Sequence, residues 1–142
     1  MSIKINMRMQ NEDRLNILFL MKVFEVGGQE VVTATLADIF IKKGHQVVIA
    51  SFKQPNDMMV KRTNPSVRFY TIGDFKYSKE NVNVVRRILL ENHINVVINQ
   101  WGLPYVPCKI LNEAKEGMAV KTIAVYHNSP DTNARIKDVE IA

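Results

Sequence analysis

The sequence has a single cysteine, Cys108, among 142 residues. An internal disulfide framework is thereby excluded, and no other thiol or histidine stands at metal-ligand spacing from it, so Cys108 reads as a reduced core thiol. Long apolar runs are missing too. Ile17 to Met21 is stopped by Lys22, far short of the ~20 apolar residues of a membrane-spanning helix. Residues 1–14 are polar and have no apolar stretch leading to a small-residue cleavage site, which makes them a polar leader to one domain over 15–142 rather than a secretory signal. The expected compartment is the cytoplasm, with contact at the inner face of the membrane left open. The common nucleotide signatures are also lacking. Val26-Gly27-Gly28-Gln29-Glu30 has no third glycine of G-x-G-x-x-G, no acidic residue closes the second strand, and no G-x-x-x-x-G-K-[ST] occurs. A nicotinamide cofactor and P-loop ATP hydrolysis are not expected, nor is a bound metal.

What is present is a balanced globular composition, 46% hydrophobic and 23% charged, enough to bury a core without staples. Nineteen Lys and Arg against 14 Asp and Glu leave a net charge of +5, compatible with an anionic ligand or an anionic membrane surface. The tight basic pairs, Lys42-Lys43, Lys61-Arg62 and Arg86-Arg87, are scattered and form no nucleic-acid motif.

Apolar periodicity orders the chain. Asn16 to Phe24 is a near-continuous apolar run, the pattern of a strand covered on both faces. Val32, Leu36, Ile39 and Phe40, with Val31 and Thr35 beside them, predict the inner face of a helix that Gly44 stops after Lys42 and Lys43. His45 to Phe52 is a second buried strand, Asp57 to Thr63 a short helix, and Val67 to Gly73 a half-buried strand. Ser78 caps a helix carrying Val82, Val85, Ile88 and Leu89 to about His93. Ile94 to Gln100 is strand four. Pro104 starts a helix with Val106, Ile110 and Ala114 inward, ended by Gly117, and Val120 to Asn128 is strand five. This alternation predicts an α/β, Rossmann-like, doubly wound parallel sheet in the order 3-2-1-4-5. Beyond it, Ile136, Val139 and Ile141 are weak anchors.

In such a sheet the crevice opens at the carboxyl ends of the strands where the winding reverses. Three loops meet there: residues 25–29, 100–104 and 127–130. Gly27-Gly28 lies where a helix begins, and unpaired amides there suit an anion that a Cβ would obstruct; the alternative is that the pair only eases a tight strand-to-helix turn. Glu30 is favourable toward the positive helix end whatever the protein does. His45 reads as structural, and Trp101 and Tyr105 either stack on a sugar or pack the loop.

The stretch from Asn16 to Phe52, with Gly27, Gly28, Glu30, Leu36, Ala37, Gly44, His45 and Val47 in place, resembles the opening of GT-B glycosyltransferases of the group 1, or family 4, type. "NVVINQWGLPY" and "KTIAVYHNSP" resemble that family's fourth and fifth strands. The resemblance spans about Asn16 to Asp131. It implies the N-terminal, acceptor-side half of a GT-B architecture, which works with a C-terminal donor-binding domain or subunit. It also implies transfer from a nucleotide diphosphate sugar to a glycan or lipid-linked acceptor, retaining and without a required metal or cofactor. On that basis Gly27 and Gly28 face the donor phosphate and His127 is the catalytic contact to the donor sugar or leaving group. Gln100, Trp101, Tyr105 and Asn128 are candidate acceptor or sugar contacts. Family members often carry two donor-binding Glu residues eight positions apart in the second domain, and no such pair occurs in this chain. The 142 residues alone are therefore expected to be inactive. A non-catalytic flavodoxin-like binding module is the alternative reading.

Overall fold

The computed structural model describes residues 14–100 and 105–125, with Tyr105 described by its backbone alone. Strands β1 (Asn16–Met21), β2 (Gln46–Ser51), β3 (Arg68–Thr71), β4 (Val96–Asn99) and β5 (Lys121–Ala124) alternate with helices α1 (Gly28–Lys42), α2 (Asp57–Arg62), α3 (Lys79–Glu91) and α4 (Tyr105–Ala114). The strands form one parallel sheet in the order β3-β2-β1-β4-β5, as expected. Leu18 is the hub of the register, opposite Val48 on one side and Val97 on the other.

Strand alternation divides the core in two. Leu18, Leu20, Val48, Ala50 and Val97 face α3 and α4, where they meet Val82, Val85, Ile88, Leu89, Ile110 and Ala114. Ile17, Phe19, Met21, Val47 and Ile49 face α1 and α2, where they meet Ala37 and Met59. A strand that buries successive side chains on opposite faces must be apolar throughout, and residues Ile17 to Met21 are all at most 2% exposed.

Helix ends follow the local chemistry. Asn56 caps α2, its side-chain oxygen accepting from the amides of Met58 and Met59. The Ser78 hydroxyl accepts from the Asn81 amide to start α3. Gly44, at φ +94°, turns the chain out of α1 while the His45 amide bonds back to the Phe40 carbonyl at 3.0 Å. At the end of α3 the same turn is made by His93, at φ +50°, with Ile94 bonding back to Leu89.

Two expectations are corrected. The first strand ends at Met21 rather than Phe24. Phe52 donates its amide to both the Met21 and Lys22 carbonyls, closing the ladder, and Phe24 continues as fully buried coil against Phe69 with ring centroids 5.5 Å apart. The apolar run is longer than the strand because its tail plugs the α1–α2 layer. The second concerns α1. Val31, Val32 and Ile39 are 48%, 46% and 42% exposed, whereas Glu30, Thr33 and Ala37 are buried, with Ala34, Leu36, Phe40 and Ile41 partly buried behind them. Thr33 and Ala37 take the fully buried positions, and Val31, Val32 and Ile39 stand on the outer side of the helix. A groove of about 430 Å³ between α1 and α2, lined by Val31, Ala34, Asp38, Met59 and Arg62, runs along that layer. Pro104, the end of the fifth strand past Val125, and Ile136, Val139 and Ile141 lie outside the described residues.

The two faces of this correction are separable by mutation. Ile88→Ala, in the α3 core, should cost ~2–5 kcal/mol in urea unfolding. Val32→Ser on the outer face of α1 should change stability by no more than ~0.5 kcal/mol, and a core-sized loss there would restore the sequence-based stripe.

Candidate functional site

The parallel sheet places the ends of β1 and β4 side by side at its carboxyl edge, with α1 rising from the first and α4 from the second. Gly27 is the N-cap of α1, in extended conformation at φ −172° and ψ 169°, and contributes no side-chain cap. The first helical bond runs from the Val31 amide to the Gly27 carbonyl at 3.0 Å. The amides of Gly28, Gln29 and Glu30 therefore precede it and form the positive end of the helix.

The two glycines have different reasons. A Cβ built on Gly27 would stand 3.0 Å from Glu30 Oε1. That contact exists because the buried Glu30 carboxylate folds back, Oε2 accepting from the Glu25 amide at 3.1 Å. Glu30 thus pins residues 25–30 into a tight turn, a relative of the capping box in which an acidic third residue reaches back to a preceding N-H. Gly28 has no such neighbour: its Cβ would meet no described atom within 4 Å, and its φ is not in the left-handed range. Packing and backbone geometry among the described residues leave the choice of glycine at 28 unexplained.

A buried polar chain joins this turn to β4. Gln100, 3% exposed, donates its amide N-H to the Leu20 carbonyl at 3.0 Å, and its side-chain Nε2 donates to Thr33 Oγ1 at 2.9 Å. Thr33, fully buried on α1, donates in turn to the Gln29 carbonyl at 2.9 Å. Gln29 Nε2 donates to the Gln100 carbonyl, closing the circuit. Each partner is buried or half-buried, where an unmade bond is costly, so the first turn of α1 is locked to the end of β4. Gln100 appears here as part of the floor that positions the turn. The sequence carried no periodic signal for Thr33 or Gln29, whose importance arises only when β4 and α1 meet.

His45 lies at the opposite, amino edge, where Nδ1 accepts from the Leu15 amide at 3.0 Å and the ring packs edge-on to Phe40; it ties the entry of β1 to the exit of α1. Cys108 on α4 is half-buried, with Asn99 Nδ2 at 3.8 Å from its sulfur, and burial pushes its thiol pKa up, the opposite of an activated cysteine. Among the described residues no group of three or more His, Cys, Asp or Glu could hold a metal ion, and no helix is long and apolar enough to cross a membrane. His127, Trp101, Asn128 and the Tyr105 side chain lie outside the described residues.

The model of Glycosyltransferase Family 4 matches residues 26–140 of this chain. No curated protein matches it. Among solved structures, the crystal structure of the Cj0485 dehydrogenase is similar at 17% identity and a TM-score of 0.43, over 72% of this chain. The alignment spans 42% of the length of that dehydrogenase.

The buried circuit makes a direct prediction. Thr33→Val keeps shape but removes an acceptor and a donor, leaving the Gln100 side chain short of a partner. Stability should fall by ~1–3 kcal/mol, and amide exchange of Gly28 to Glu30 should accelerate; unchanged values for both would show that the circuit does not hold the turn.

Proposed function

This chain belongs to Glycosyltransferase Family 4, and from that premise we propose that it forms the acceptor-side half of an enzyme transferring a sugar from a nucleotide diphosphate sugar to a glycan or lipid-linked acceptor. The observation that carries the proposal is Gly28. It opens an uncapped helix N-terminus at the carboxyl edge, in a turn fixed by Glu30 and by the Gln29–Gln100–Thr33 circuit. The described structure itself has no use for the missing Cβ. A phosphate that must come within hydrogen-bonding distance of the first-turn amides does have one.

In this reading the donor's diphosphate approaches Gly28, with Gly27 shaping the turn beside it. Fixed amides there stabilise the charge that grows on the leaving diphosphate as the sugar bond breaks, with no reorganisation at the moment of reaction. His127 supplies a polar contact to the transferred sugar or leaving group. Trp101, Tyr105 and Asn128 contact acceptor or sugar, over a floor held by Gln100. The remaining donor contacts come from a C-terminal domain or a partner subunit, since a crevice wall alone does not hold two substrates in reacting geometry. The reaction proceeds without a metal or cofactor, in the cytoplasm.

In an enzyme containing this domain, Gly28→Val should lower turnover by ~10²-fold or more while thermal unfolding stays near that of the parent, because a Cβ at this position meets no described atom within 4 Å. His127→Ala should lower turnover on the same scale with the fold intact. The 142-residue chain on its own should transfer no sugar at a detectable rate. A stable Gly28→Val enzyme with unimpaired turnover would remove the phosphate-facing role, and absence of any sugar transfer by the intact protein would favour a non-catalytic binding module.

A further inference from the structure

The turn that opens α1 holds a buried oxygen with no bond made to it. Glu30 is 8% exposed, and of its two carboxylate oxygens Oε2 accepts from the Glu25 amide at 3.1 Å. Oε1 has no hydrogen-bond partner among the described residues. The polar side chains beside it are engaged elsewhere. Gln29 Nε2 donates to the Gln100 carbonyl, Gln100 Nε2 to Thr33 Oγ1, and Thr33 Oγ1 to the Gln29 carbonyl. An ionised carboxylate offers about four acceptor positions, and an oxygen left empty away from water is costly.

Oε1 lies on the side of the turn that Gly27 leaves open. A Cβ on Gly27 would stand 3.0 Å from it, so a side chain there would cover the oxygen. The extended backbone of Gly27, at φ −172° and ψ 169°, is open to any residue. What the missing side chain provides is access to the carboxylate. One peptide bond further on, the Gly28 amide begins the positive end of the helix, at a position where a Cβ meets no described atom within 4 Å. Donors and an acceptor thus flank one turn residue.

A ligand for such a turn must carry opposite groups. The first-turn amides call for an acceptor, best an anion. Oε1 calls for a donor and repels an anion that brings none. Fully ionised phosphate oxygens only accept, so a phosphate by itself leaves Oε1 empty. A sugar joined to phosphate at its anomeric carbon supplies both groups, the phosphate oxygens and the hydroxyl on the neighbouring carbon.

We propose that Glu30 Oε1 receives this vicinal hydroxyl of the transferred sugar while the first-turn amides hold the phosphate. The proposal rests on reading the Gly28 turn as the donor's phosphate site, and it makes Glu30 the residue that selects donors with a free hydroxyl beside the anomeric carbon. A buried acceptor rejects an analogue lacking the matching donor, because it is then left unpaired.

The test reads binding to the 142-residue chain through the NMR signals of the Gly27 to Glu30 amides. The probes are α-glucose 1-phosphate, its 2-deoxy-2-fluoro analogue, whose fluorine cannot donate, and methyl phosphate. All are used at about pH 8, where a phosphate monoester has lost its second proton. Each should shift the amides saturably, and glucose 1-phosphate should bind about tenfold or more tighter than the fluoro analogue, the scale of one hydrogen bond to a charged acceptor. Glu30→Gln keeps an oxygen for the Glu25 amide, so the unfolding midpoint should hold, but it turns an N-H toward the ligand. The preference for the hydroxyl should then vanish, and methyl phosphate should bind at least as well as in the parent, because the carboxylate charge is gone. A Glu30 that only shapes the turn would leave the preference equal in the two proteins, and that result overturns the proposal. Equal binding of glucose 1-phosphate and its fluoro analogue by the parent overturns it without any variant, as does the absence of saturable shifts. Hydroxyl-dependent binding by a chain whose intact enzyme transfers no sugar would leave the site standing and remove the transferase reading. Sugar transfer by an enzyme whose chain shows no such preference would keep the transferase reading and remove the role of Glu30.

Discussion

β1 sits between β2 and β4 and carries an α-helical layer on each face, so every side chain from Ile17 to Met21 is buried. All other placements depend on that burial. Its parallel neighbours require crossover connections, and right-handed crossovers put α1 and α2 on one face and α3 and α4 on the other once the winding reverses beside β1. The same reversal leaves the ends of β1 and β4 with helices departing in opposite directions. A crevice at that point is a consequence of topology, before any functional residue is considered.

The crevice is then stiffened by polar groups that the core alone does not supply. Glu30 returns to the Glu25 amide, and Gln29, Thr33 and Gln100 link the first turn of α1 to the end of β4. Such a circuit contributes when all of its bonds are made and becomes costly when one is missing, since its members are out of water. A helix N-terminus used to meet a phosphate gains from this rigidity, because amides already aimed need no reordering when charge develops. On the other face, Asn81 closes the β3–α3 loop with two bonds to backbone carbonyls and holds rings on which Lys22 and Lys109 rest. On both sides of the edge a buried amide side chain, Gln100 or Asn81, fixes a loop at the strand ends.

Much of this was legible in the sequence. The near-continuous apolar runs at β1 and β2, the caps at Ser78 and Gly44, and the stripe of Val82, Val85, Ile88 and Leu89 each state their own structure, because strand and helix periods and capping are local properties. From their alternation the sheet order follows, and the family match over residues 26–140 agrees with the resemblance carried by the glycine turn and the later strands. The inner face of α1 followed only in part, with Leu36 and Phe40 packed against the core. Apolarity pointed to Val31, Val32 and Ile39, yet Thr33 and Ala37 are the residues pressed against the sheet, because how closely a helix approaches a sheet is set by both partners.

The sequence by itself determined which segments are strands and helices, the cap of α3 at Ser78, the stop of α1 at Gly44, and that a glycine pair stands at the entry to α1. Only the tertiary structure divided that pair into two kinds. A Cβ at Gly27 would crowd the Glu30 side chain folded over it, whereas one at Gly28 would meet no described atom within 4 Å. It alone also brought Lys22, Phe75, Tyr77 and Lys109 to one edge from three separate stretches of chain. The physical reason is the range of the forces involved. Periodicity, capping and turn preference act within a few residues and are written along the chain. Steric contact, ring–cation attraction and buried hydrogen bonds act between groups whose neighbours exist only after the sheet has closed.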